Sequence, residues 1–217
     1  MNQFSLPFLI IIIVLFAVFV LYAGKKIKRR LGLSRTNFSM VKLPCSSEMQ
    51  EGIKNVVNSA NFPLALDVVV EHIGRTPDIF ISSLNKNFSK LVKELNKNVS
   101  GRYEIRKEDY LIFHHGGEYE VLACDMAKED VLSIDLSSID MSKVNEIGEG
   151  AAVRMVFVPG RDVSVQMFFS APSQFQLREI ISGVTESFKG NNCKVPKNKD
   201  FVIKDFNSPD FLYRVAK

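Results

Sequence analysis

Catalytic signatures are what this 217-residue sequence lacks. No Lys is followed by Ser or Thr, so the pair that lets a Walker-type loop reach phosphate and magnesium is missing. HExxH and GxSxG are missing too. Only three Cys occur, with no CxxC, which excludes a disulfide scaffold and a zinc ribbon. No base precedes Lys25, and no acid occurs in residues 1–35. What is present is apolar: 46% of the chain, with 17 Phe, which excludes a disordered polymer. The length suits one domain or two small units.

Much of the apolar excess lies in LPFLIIIIVLFAVFVLYA, Leu6 to Ala23, which carries no charge. A helix needs roughly 20 apolar residues to cross a bilayer core, and with Phe4 and Ser5 this run suffices. A cleaved signal peptide would have a basic flank before the run, a shorter run, and a small-x-small site after it. The expectation is therefore an uncleaved anchor over about 5–23. Lys25, Lys26, Lys28, Arg29 and Arg30 follow at once. By the positive-inside rule they hold the C-terminal bulk in the cytoplasm and the N-terminus outside, in a single-pass inner-membrane protein. The same cluster suits anionic lipid head groups.

Residues 1–35 take six of the 28 bases and none of the 24 acids, leaving the remainder at a net −2. A part so balanced has no overall field to draw in nucleic acid, which is expected only indirectly if at all.

Beyond a polar linker, Phe38 to Leu43 reads as a strand. Ser47 with Gln50 reads as a capping box, and Met49, Ile53, Val56, Val57 and Ala60 as a helical stripe. Leu64 to Ile73 and Asp78 to Leu84 form a hairpin about the turn Gly74-Arg75-Thr76-Pro77. Phe88, Leu91, Val92, Leu95 and Val99 form a second stripe, and Tyr103 to Ile105, running on towards Phe113, a further strand. After Gly116-Gly117 the order recurs. Tyr119 to Leu136 is strand-like with an interruption at 127–130. Met141, Val144 and Ile147 make a short helix ended by Gly148 and Gly150. Ala151 to Val158 and Val163 to Ser170 make a hairpin. Ser173 with Gln176 caps a helix carrying Leu177, Ile180, Ile181, Val184 and Phe188. The last strand falls at 193–195 or 201–206.

The expected class is α+β: a single transmembrane helix in residues 1–35, then two ferredoxin-like (βαββαβ) halves with antiparallel sheets, at 36–115 and 116–217. Arg154, Ser164 and Gln166 among apolar neighbours predict a partly open face able to dock the other half or a partner.

Gly148-Glu149-Gly150 follows a helix and enters a strand, the reverse of an anion-binding loop, and reads as a helix stop. His114, His115 and Glu118 are candidate metal ligands, although adjacent His on a strand point to opposite faces; a solvated hairpin is the favoured reading, and no cofactor is expected. His72 reads as a surface or partly buried residue. Cys45, Cys124 and Cys193 read as reduced packing thiols in a cytoplasmic domain, with Cys124 beside His114 or His115 as the alternative nucleophile pair.

Two stretches carry a family resemblance. PLALDVVVEHIGRTPDIFISSL (Pro63 to Leu84) is followed by a helix with Leu91 and Leu95. MSKVNEIGEGAAVRMVFVP (Met141 to Pro159) contains Glu146, Gly148, Glu149, Gly150, Ala151, Ala152 and Pro159. Together, over roughly residues 38–195, they resemble the membrane-anchored domain that precedes the motor in TraG/TraD-type conjugation (type IV secretion) ATPases, as found in candidate-phylum bacteria. These 217 residues contain no Walker motif, so no ATP-handling residue carries over, and a stand-alone, a split and a truncated member of that family are all compatible with the resemblance. The resemblance implies a non-enzymatic assembly module, its motor an ATPase supplied in trans. The turns at Gly74, Arg75 and Pro77 and at Gly148, Glu149 and Gly150 are the candidate docking surface, weighed against plain tight turns. A homo-oligomer is compatible with this reading. The alternatives are a membrane-tethered thiol- or His-dependent hydrolase, and a juxtamembrane binder of DNA or anionic lipid.

Overall fold

Alternating apolar strands and single-striped helices need a shared layer to bury against, and one antiparallel sheet provides it. In the computed structural model the described residues are 38–70, 77–99, 103–106, 117–147, 150–188 and 193–197. All belong to the unit Thr36–Lys217. The predicted anchor, the basic cluster, Gly74, Arg75, Gly148, Glu149 and all three His lie outside them. No helix among the described residues is long and apolar enough to cross a membrane.

The first half runs β1 (Phe38–Pro44), α1 (Ser47–Ser59), β2 (Leu64–Val69), β3 (Asp78–Leu84), α2 (Asn85–Asn98) and β4 (Glu104–Arg106). The second runs β5 (Glu118–Met126), α3 (Lys128–Ser133), a 3-10 turn (Leu136–Ser138), α4 (Ser142–Ile147), β6 (Ala151–Phe157), β7 (Val163–Ala171) and α5 (Gln174–Glu186). The strands form a single antiparallel sheet in the order β4-β1-β3-β2-β6-β7-β5. Beyond β5, Lys194 makes an isolated antiparallel bridge to Ala123. The separate sheets expected for the halves are thus one sheet, closed along β2 and β6 from Leu64↔Phe157 to Val69↔Ala152.

The helices share a core with one face of this sheet. Ile53 and Val56 of α1, Leu91 and Leu95 of α2, and Leu177 and Ile180 of α5 pack with strand residues such as Leu66, Ile81, Met155 and Val165. The apolar stripes forecast these contacts because a 3.6-residue period keeps them on one side of each helix. Gly52 lets α1 approach the end of α2: a Cβ there would lie 2.7 Å from the Asn98 carbonyl oxygen and 2.8 Å from Val99 Cγ1. Gly52→Ala forces these apart. Its expected effect is a loss of about 1–3 kcal/mol in urea denaturation, against a helix-propensity gain of roughly 1 kcal/mol.

Three local expectations are corrected. Ser46, not Ser47, is the N-cap of α1 and makes no side-chain capping bond, and Gln50 turns away from the backbone it was to cap. The strand-like stretch expected from Tyr119 to Leu136, interrupted at 127–130, ends at Met126, and α3 follows Ala127 in place of its second part. On the face carrying Arg154 the expected opening is confined to its edge: Arg154 is buried, as are Ser82, Phe80 and Phe168 on the same side, whereas Ser164 and Gln166 keep partial exposure. The Ser173–Gln176 cap does form, with Gln176 N–H donating to Ser173 Oγ at 3.4 Å.

Candidate functional site

Among the described residues, a buried ion pair lies at the junction between the halves, and a disulfide at the outer edge of the second half. At the junction Asp67 and Arg154 face one another across β2 and β6. Arg154 Nε donates to Asp67 Oδ1 and Nη2 to Oδ2, both at 2.8 Å, in a bidentate fork. Each is a lone charge in an apolar strand: Asp67 has no exposure and the Arg154 side chain is 9% exposed. Charges this deep are tolerated only when paired and hydrogen-bonded. Further along the same face, Lys42 Nζ lies 2.6 Å from Asp78 Oδ2 and 5.7 Å from the Phe80 ring centroid.

On the helical side the second half clips onto the first. Gln50 Nε2 donates to the Ile134 carbonyl at 2.6 Å, while its Oε1 accepts from Leu136 N–H at 3.1 Å. Lys128 Nζ donates to the Val57 carbonyl at 3.2 Å. A glutamine amide saturates a donor and an acceptor of one passing backbone, which explains why Gln50 does not cap its own helix.

Cys45 sits in this seam, half-buried, its Sγ 3.5 Å from the Leu136 carbonyl. Burial first, and then the Asp135 and Asp78 carboxylates, push its thiol from 9.0 up to about 11. At pH 8 its thiolate fraction is then lower by about 100-fold than that of an unperturbed thiol. Iodoacetamide should label Cys45 correspondingly slowly in the folded protein and quickly in urea; equal rates would contradict the assigned environment. Because folding raises this value, the neutral thiol favours the folded state below pH 9, and that advantage is lost between pH 9 and about 11.

The sulfurs of the second half behave otherwise. Cys124 on β5 and Cys193 form a disulfide with their Cα atoms 4.5 Å apart. The expectation of three reduced thiols is corrected at these two positions. Lys194 follows at once and exchanges both backbone hydrogen bonds with Ala123, at 2.9 and 3.0 Å. The disulfide therefore fastens the last described segment to the edge of the sheet. The spacing of 69 residues gave no sign of it, since the two meet only where the segment after α5 lies beside β5. While so bonded, Cys124 has no thiolate to offer as a nucleophile.

The candidate docking turns are only partly within the described residues. Pro77 is half-buried ahead of β3. Gly150 is buried, and its carbonyl accepts from Ser170 N–H at 2.9 Å, so it extends the β6–β7 ladder rather than forming an exposed corner. Glu118, the one candidate metal ligand in view, accepts from Gln174 Nε2 at 2.6 Å. Among the described residues no group of three His, Cys, Asp or Glu is arranged to hold a metal. Exposed large apolar side chains are Ile105 on β4, Tyr119 on β5, Phe175 at the start of α5 and Val195 beyond Lys194.

Comparison with protein-family models, with curated proteins and with solved structures gives no match.

Proposed function

We propose that this chain is a bitopic membrane protein whose α+β domain is a docking module, not an enzyme, and that it serves a Walker-type ATPase supplied by another chain. The domain is read as two ferredoxin-like halves. The order β4-β1-β3-β2 in the first half, met by β6-β7-β5 and the Lys194 bridge in the second, supports that reading. The observation that carries the docking role is where the chemistry-bearing side chains go. Asp67, Arg154, Gln50, Cys124 and Cys193 are engaged in holding strands and halves together. The exposed apolar side chains, by contrast, include Ile105 and Val195 at the two outer edges of the sheet, where an incoming strand or helix adds most readily. The anchor and the cluster Lys25 to Arg30 hold the domain against anionic lipid at the membrane.

The test is crosslinking in native membranes, followed by purification of the full chain. A co-purifying ATPase with a Walker motif, lost on Ile105→Asp or Val195→Asp, is the expected result. Retrieval of no ATPase, or retrieval indifferent to both substitutions, overturns the reading.

The disulfide favours a second reading of the topology. Disulfides persist in oxidising compartments, which would place residues 36–217 outside the cytoplasm with the N-terminus inside, against the basic flank of the span. Alkaline phosphatase fused after Lys217 decides the matter. An inactive fusion supports the cytoplasmic placement, and an active one the reverse.

A further inference from the structure

The outer edge of β5 is covered by a short segment, residues 193–197. Ala123 turns its N–H and C=O away from β7 and exchanges both bonds with Lys194. In that register Cys193 falls opposite Cys124. Their Cα atoms lie 4.5 Å apart, the separation of a non-hydrogen-bonded antiparallel pair, so the sulfurs staple the segment in the register of the bridge. In the other direction the same register sets Val195 opposite Leu122 and Pro196 opposite Val121. Proline has no N–H, and the ladder stops there. Among the described residues, none donates to the Val121 carbonyl. The Val121 N–H donates to the Glu120 carboxylate at 3.1 Å instead.

A cover that ends after one bridge is held weakly by its backbone. Cys193 packs with the core, but Lys194, Val195 and Lys197 are exposed. The disulfide therefore supplies most of the hold. Charge marks what suits the edge beneath. β5 reads EYEVLACDM, which carries Glu118, Glu120 and Asp125 and no base. The segment lying on it reads CKVPK, which carries Lys194 and Lys197 and no acid.

We propose that the Cys124–Cys193 bond is a redox latch, and that in the dithiol form the outer edge of β5 takes up an extended segment of another protein. In that segment Lys or Arg alternates with apolar residues and proline is absent. It bonds to Ala123 as Lys194 does, and it also donates to the Val121 carbonyl, which Pro196 cannot. Its bases suit the acids of β5, as opposite charges across a strand pair stabilise it. The β5 strand of a second copy brings the same acids and is disfavoured for the same reason.

Opening the latch needs a dithiol reductant. One of its thiolates attacks a sulfur of the pair, and the other sulfur leaves with the bonding electrons. The second thiol of the reductant then displaces the first cysteine. The reductant ends as a disulfide, and its two protons end on Cys124 and Cys193. The opened edge is distinct from the surface that Val195 presents while the bond is closed. The inference thus goes beyond the docking role and needs no ATPase.

The test uses the full chain in a non-ionic detergent. The probe is a fluorescein-labelled nonapeptide of alternating Lys and Val, read by anisotropy. With dithiothreitol the peptide is expected to bind at least about 30-fold more tightly than to the oxidised chain, a factor equivalent to the low end of a disulfide's contribution. Cys124→Ser with Cys193→Ser should bind it as tightly without reductant. A Glu-Val peptide of the same length should bind neither form. Hydrogen exchange locates the site: the Ala123 amide loses protection on reduction and regains it when the Lys-Val peptide is added. Equal affinity in the two redox states, no binding to the reduced chain, or binding that leaves Ala123 unprotected overturns the inference. Equal binding of the Glu-Val peptide does so too. A reduced chain that dimerises in sedimentation and protects Ala123 with no peptide present also overturns it, because a second copy is then the occupant.

Discussion

Arg154→Ala should lower the stability of the domain by about 3–5 kcal/mol, because it strands the Asp67 carboxylate in the middle of the sheet. The loss is not the value of the ion pair. It is mainly the penalty for a carboxylate that loses its guanidinium at a site with no solvent. The double substitution Asp67→Leu with Arg154→Met should therefore recover most of the loss, since an apolar pair of similar volume owes no desolvation. Urea denaturation of the two single variants and the double variant closes the cycle. A double variant as unstable as Arg154→Ala would mean that the strands need the charges themselves. Arg154→Lys should fall short of full recovery, because an ammonium cannot reproduce the fork of two 2.8 Å bonds.

Reduction of the Cys124–Cys193 bond is the second large effect. It releases a constraint spanning 69 residues, and chain entropy alone puts that at about 4 kcal/mol, with measured values more often about 2–4. Cys124→Ser with Cys193→Ser, or a phosphine reductant on the unaltered protein, should lower the melting temperature by several degrees. The amide of Ala123, bonded to the Lys194 carbonyl at 2.9 Å, should lose hydrogen-exchange protection at the same time. Unchanged protection at Ala123 after reduction would show that the strand bridge stands without the sulfurs. Cys45 should not respond, as it lies in the seam between α1 and the 3-10 turn and shares no contact with the pair.

Most elements could be read from the sequence because local rules govern them. The stripe of Leu177, Ile180 and Val184 defines a helix whatever it packs on, and Pro159-Gly160 defines a turn, with Gly160 at φ 75°. The misread places are those where a distant partner overrides a local rule. Gln50 satisfies capping statistics yet bonds to backbone 84 and 86 residues away. The stretch from Ala127 to Ser133 looks like a damaged strand, yet becomes a helix whose Val131 joins the core beside α1. The junction does leave a trace in the sequence. Asp67 is a lone acid in LALDVVV and Arg154 a lone base in AAVRMVF; two such charges in strands that must be buried call for each other. That pairing also fixes β2 beside β6, and so joins into one sheet what was expected as two. No comparable trace marks the disulfide, whose residues meet only through the path of β5 and the segment after α5.

The strand order on either side of β2 and β6 reads the same outward from the centre. Each half offers its second strand, and the two run antiparallel over six residue pairs. In separate molecules such a contact would be a two-fold dimer interface, dissolving on dilution. Within one chain its partners can never be further apart than the linker permits, so its occupancy does not depend on how many copies the cell makes. A scarce protein keeps its sheet whole, and anything that recognises the assembled surface meets it at every expression level.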